Sequence, residues 1–139
     1  MQEMTSRLKI TQKIFDDIIA QALEEQPREC CGLLGGRDGD AQSRYALTNR
    51  SPQPETQYFA APEDLFVAMR QMRAAGEELT AIYHSHPRSA AYPSQTDIEL
   101  AFYPQAVYLI ITLEPQVEMR AFRINGQDVN EIEIELKQL

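Results

Sequence analysis

The stretch His84-Ser85-His86-Pro87-Arg88-Ser89-Ala90-Ala91-Tyr92-Pro93-Ser94-Gln95-Thr96-Asp97 decides how this chain is read. It closes an apolar, β-compatible run from Leu79 to Ser85 and leads into a segment, Ser94 to Phe102, that reads as a short helix. Residues two apart on a strand project from the same face, so both imidazoles can converge on one point while Ser85 faces away. Pro87 ends ladder pairing at once, as suits a strand terminus that opens onto a site. Two imidazoles on one face are half of a zinc site, and a catalytic zinc adds one more protein ligand and keeps a position for water. Asp97 is a candidate for that third ligand, because the ten residues after His86 can bring a helix start back over the strand end. Taken alone, Ser94-Gln95-Thr96-Asp97 is equally a helix-capping pattern.

Upstream of this stretch, Arg7 to Ile10 reads as a short strand and Thr11 as a helix N-cap. Ile14, Phe15, Ile18, Ile19, Ala22 and Leu23 form a helical stripe that stops near Pro27. Cys31 to Gly35 reads as a buried strand, Gly36 to Asp40 as a turn and Ser43 to Thr48 as the hairpin partner. Asn49 to Glu55 is a loop, and Tyr58-Phe59 begins a short extended piece. Pro62 opens a second helix with Glu63 and Asp64 near its positive end, Leu65, Phe66, Met69 and Met72 on its buried face, and Gly76 as its stop. Ala106 to Leu113, Glu118 to Ile124 and Val129 to Leu136 read as strands, the last two joined by a turn at Asn125-Gly126. The expected fold is α/β, a mixed sheet flanked by helices, with residues 1–139 as one domain.

Composition excludes several function classes. Of 139 residues 43% are hydrophobic and 24% charged, ordinary for a globular protein. Thirteen basic against twenty-one acidic residues leave a formal charge of −8, and the basic residues are scattered, which argues against a nucleic-acid-binding surface. Cys30 and Cys31 are adjacent and poorly placed to bridge each other, so they read as buried small residues at a strand start. The stretch Met1 to Arg7 lacks the apolar core of a signal peptide, and no segment reaches membrane-spanning length. The expectation is a reduced, cytoplasmic protein with no membrane partner.

Glu29 stands upstream in Pro27-Arg28-Glu29-Cys30-Cys31-Gly32-Leu33-Leu34-Gly35, then come His84-Ser85-His86, seven residues, and Ser94-Gln95-Thr96-Asp97. Together these resemble the complete signature of the JAMM (MPN-plus) metalloproteases, a likeness that runs from about residue 8 to the last strands. The resemblance implies one Zn2+ bound by His84, His86 and Asp97 with water as fourth ligand. It implies Glu29 as general base and proton carrier to the leaving amine, and Ser94 as hydrogen-bond donor to the oxyanion. It implies a fold related to the cytidine deaminase architecture. Long insertions that grip polyubiquitin chains are missing, so the chain is similar to the short, standalone prokaryotic branch. The partner implied is the C-terminal tail of a ubiquitin-like or sulfur-carrier protein, cut at an amide bond at or near its end.

Three rivals remain at this point. A non-catalytic scaffold of the same superfamily typically lacks some ligands, whereas every one is present here. A zinc deaminase needs His-x-Glu and a downstream Pro-Cys-x-x-Cys, which this sequence lacks. A nucleic-acid-associated relative with His-x-His-Pro fits poorly with the acidic balance. Tyr83, Tyr92, Phe102 and Tyr103 bracket the motif and could line a groove, with Phe102 expected in the core and Tyr92 at the rim. An extended tail is expected along an exposed strand edge near the site.

Overall fold

A computed structural model describes residues 7–138, so the polar stretch before Arg7 lies outside the described residues. The chain runs β1 (Arg7–Thr11), α1 (Gln12–Glu25), β2 (Cys31–Arg37), β3 (Asp40–Leu47), α2 (Pro62–Ala74), β4 (Glu78–His86), α3 (Gln95–Glu99), β5 (Val107–Thr112), β6 (Glu118–Asn125) and β7 (Asp128–Lys137). Thr11 caps α1 as expected, its hydroxyl accepting from the Ile14 N–H at 3.1 Å. The β2–β3 hairpin turns on Asp38-Gly39, both at positive φ, which matches the twist of the flanking strands. Gly76 ends α2 at positive φ, and Pro62 opens it.

The sheet is mixed and closes on itself in the order β1-β3-β2-β4-β5-β6-β7. β4 sits between antiparallel β2 and parallel β5, with Cys31 opposite His84 and His84 opposite Ile110. Parallel pairing of β1 with both β7 and β3 completes the ring, the second contact resting on the single pair Lys9–Asp40. The sheet curls round α1. Ile14, Ile18 and Ala22 of that helix pack among residues of every strand, including Leu8, Leu34, Tyr83 and Ile111. Each large apolar side chain buried there stabilises the fold by about 1.5–3 kcal/mol. α2 covers the other face of the sheet, where Ala68 and Met72 meet Cys31, Leu33 and Leu47.

Four expectations change. The helix expected from Ser94 to Phe102 ends at Glu99, with Leu100 already out of helical geometry as its C-cap. Phe102 is 70% exposed rather than in the core, and Tyr83 is fully buried rather than on a groove wall. Of the expected buried face of α2, Phe66 and Met69 are exposed, while Met72 and Ala68 carry the packing. Tyr92, half-exposed, packs edge-on against Phe122 at 5.3 Å. β4 has a neighbour on each side, whereas β3 beyond Asp40 pairs with β2 alone, and its end at Leu47 lies opposite Cys31, which is in turn opposite His84. Among the described residues no helix is long and apolar enough to cross a membrane.

Candidate metal centre

Strand alternation puts His84 and His86 on the α2 side of β4 and Ser85 on the opposite side, fully buried. α3 then delivers Asp97 to the same point. Its start is fixed by a reciprocal capping box: the Asp97 N–H donates to Ser94 Oγ at 3.0 Å, and the Ser94 N–H donates to Asp97 Oδ2 at 2.9 Å. The oxygen that serves the cap is the one that faces the histidines. His84 Nε2, His86 Nε2 and Asp97 Oδ2 form a triangle with sides of 3.0, 3.1 and 3.1 Å.

The donor set fits a metal ion. Ligands about 2.0–2.1 Å from a tetrahedral zinc stand roughly 3.3 Å apart, close to the sides of this triangle. Two imidazole nitrogens this near each other need something between them other than their own lone pairs. The Nδ1–H of His86 donates to the Ala90 carbonyl at 2.8 Å, which leaves the Nε2 lone pair aimed into the triangle. His84 differs, since its buried Nδ1 has no polar partner among the described residues. Its ring is held instead by Tyr58, stacked at 4.6 Å and 25°. Burial pushes the Asp97 carboxyl up, but the hydrogen bonds and charges of the two histidines outweigh it and hold the group well below the usual carboxylate range.

Glu29 enters just before β2 and is 5% exposed. Burial pushes its carboxyl up to about 8; the charge of His86 acts against this and that of Asp97 with it, so the group lies within electrostatic reach of the triangle. Its backbone is tied down without sheet pairing. The Glu29 N–H donates to the Pro54 carbonyl at 2.7 Å, and Asn49 Nδ2 donates to the Glu29 carbonyl at 3.0 Å. Asn49, buried, also donates to the Pro54 and Gln57 carbonyls and accepts from the Ser51 and Phe59 N–H groups. One amide therefore orders the loop that carries Tyr58. Sequence reading assigned no role to Asn49 or Tyr58; an Asn opening a proline-containing loop was the one signal available.

The five residues singled out from the sequence thus fall into three places. His84, His86 and Asp97 converge, Glu29 is buried within reach of them, and Ser94 caps the helix that carries Asp97. Cys30 and Cys31 are free, buried thiols pushed up to about 12 by burial, as expected of packing residues. Beside the triangle lies a mostly apolar groove of about 400 Å³ whose wall includes Thr96 and Asp97. Leu33, Leu65, Met69, Ile82, Phe102 and Tyr108 contribute to it, with residues 56–60 of the Asn49 loop.

Residues 11–125 match the family described as prokaryotic homologs of the JAB domain. The chain belongs to that family, the standalone prokaryotic branch of the JAMM/MPN proteins. It is 33% identical over 137 residues to the desampylase of Haloferax volcanii, covering 94% of this chain and 96% of the relative. It is 37% identical over 128 residues to the CysO-cysteine peptidase of Mycobacterium tuberculosis, covering 89% and 87%. A protein of Desulfitobacterium hafniense solved in solution superposes with a TM-score of 0.85 at 36% identity, over 95% of this chain and 94% of that one.

Proposed function

We propose that this protein is a zinc peptidase that hydrolyses an amide bond at or near the C-terminus of a small ubiquitin-like or sulfur-carrier protein. The observation that carries this is the convergence of three metal-type donors beside a buried carboxyl, at a groove open to solvent. Two relatives that match nearly end to end are named for cleaving such proteins, which supports the substrate class. His84, His86 and Asp97 would hold the zinc ion, which when bound would supply a Lewis acid and bring a water's pKa to about 7. Glu29 would take the proton of the attacking water and carry it to the departing amine. Burial alone raises the Glu29 carboxyl to about 8, and the positive charge of a zinc ion beside it would draw it back down, toward the range in which a carboxylate both accepts and returns a proton. Ser94 spends a lone pair on its cap, so its O–H stays available to donate to the oxyanion. The narrow tail is gripped through the groove's side chains and the loop at residues 56–60.

The test is mass spectrometry of a C-terminally extended carrier incubated with zinc-loaded wild-type and Glu29→Gln protein. Wild type is expected to release the extension, and the variant to be slower by roughly 10²–10⁴-fold. A fully active Glu29→Gln protein sinks the assignment.

A further inference from the structure

The peptide between Glu29 and Cys30 lies where β2 and β4 part company. Cys31 is opposite His84, so Cys30 falls opposite Ser85. The Ser85 N–H donates to the Cys30 carbonyl at 3.1 Å. A regular antiparallel pair would return the second bond from the Cys30 N–H to the Ser85 carbonyl. Here the Cys30 N–H goes instead to Ser85 Oγ at 2.8 Å. The hydroxyl stands in for a ladder carbonyl, and β2 begins only at Cys31. The next residue back is Glu29, whose own N–H and carbonyl are held by Pro54 and Asn49 rather than by β4.

We propose that Ser85 is a positioning residue for Glu29: its hydroxyl ends the β2–β4 ladder at Cys30 and lets the preceding residue turn toward the donor triangle. Ser85 is fully buried, so without the hydroxyl the Cys30 N–H has either no partner or a ladder carbonyl. Pairing with that carbonyl would draw the Glu29 segment down onto β4. Because Ser85 lies between His84 and His86 in sequence, one residue ties the ligand strand to the base.

This builds on the peptidase assignment above, and the test separates the two. Zinc-loaded wild type, Ser85→Ala and Ser85→Thr are compared in amide hydrogen exchange at Cys30, zinc affinity, and turnover of a C-terminally extended carrier. Ser85→Ala is expected to change Cys30 protection by at least tenfold and to lose at least tenfold in kcat. Its KM should stay within twofold and its zinc affinity within threefold. Ser85→Thr, which keeps the hydroxyl, restores exchange and kcat. Unchanged Cys30 exchange or unchanged kcat in Ser85→Ala overturns the proposal. So does a loss of zinc affinity that tracks the loss of kcat, which would make Ser85 a support for the ligands alone. If Ser85→Ala does not fold, Ser85→Cys, of similar volume and weak accepting power, carries the same expectations. If wild type cleaves no extended carrier, the peptidase assignment fails by itself, while exchange and zinc affinity still decide the role of Ser85.

Discussion

The two faces of β4 solve opposite problems with adjacent residues. On the face toward α1, Tyr83 and Ser85 are fully buried and their polar atoms are matched: the Tyr83 hydroxyl with Gln21 and Arg44, the Ser85 hydroxyl with the Cys30 N–H. On the face toward α2, His84 and His86 turn their Nε2 atoms toward each other and toward Asp97, a spacing that also fits a cation. A polar network matched internally rigidifies, whereas ligand atoms converging on one point can also hold an ion. Single substitutions on the two faces should therefore separate stability from metal binding.

The largest effect is expected from His84→Ala. Loss of one donor should remove bound zinc, read by elemental analysis, and lower cleavage by more than about 10³-fold, on the scale of a lost metal-assisted mechanism. The fold of the metal-free protein should survive. Gly32→Ala should do the reverse. Gly32 pairs with Tyr83, and an added Cβ would lie 2.2 Å from that ring. Overpacking of this kind costs on the order of 1–3 kcal/mol, to be read as a lower denaturation midpoint, with the metal donors still in place. Loss of zinc affinity without loss of stability in Gly32→Ala would break the distinction between faces.

The ionisation of Glu29 gives the most condition-dependent effect on stability. Its folded-state pKa is about 8 against 4.5 as the ordinary value. Below 4.5 the group is protonated in both states and costs nothing. As pH rises from 4.5 to 8 the unfolded chain ionises while the folded one resists, so the metal-free protein loses stability across that window. Glu29→Gln, stripped of metal, should melt several degrees above stripped wild type at pH 8.5 and no higher at pH 4. Equal melting temperatures at both values would show that the carboxyl is not held in a desolvated position.

Much of this was legible in the sequence, for identifiable reasons. Period-3.6 and period-2 patterns mark α1 and the strands because each buries one face or both, and Thr11, Pro62 and Gly76 punctuate the helices locally, though the buried face of α2 was misplaced at Phe66 and Met69. The site residues were legible because His84, His86, Ser94 and Asp97 lie close in the chain and Glu29 sits in a matching segment. What was not legible depends on distant pairing. Closure of the sheet needs β1 beside both β3 and β7, contacts separated by up to the length of the chain. Phe102 reads as core from its type alone, yet its neighbours build an open groove wall. Ser85 was legible only as the residue that faces away, since its hydroxyl's partner is 55 positions upstream.

The seam that closes the sheet has a consequence for how this protein keeps company with itself. β1 meets β3 at one residue pair, Lys9–Asp40, with one further bond from the Lys9 N–H to the Gly39 carbonyl. So short a junction is the place where the ring opens first, and opening bares two strand edges of the kind that recruit other chains into aggregates. The residues stationed there are charged: Lys9 and Asp40 form the pair itself, and Lys137 of β7 holds Asp40 in an ion pair. A chain arriving to add a strand would have to strip water from these groups. The weakest join in the sheet is thereby also the one least hospitable to a second molecule.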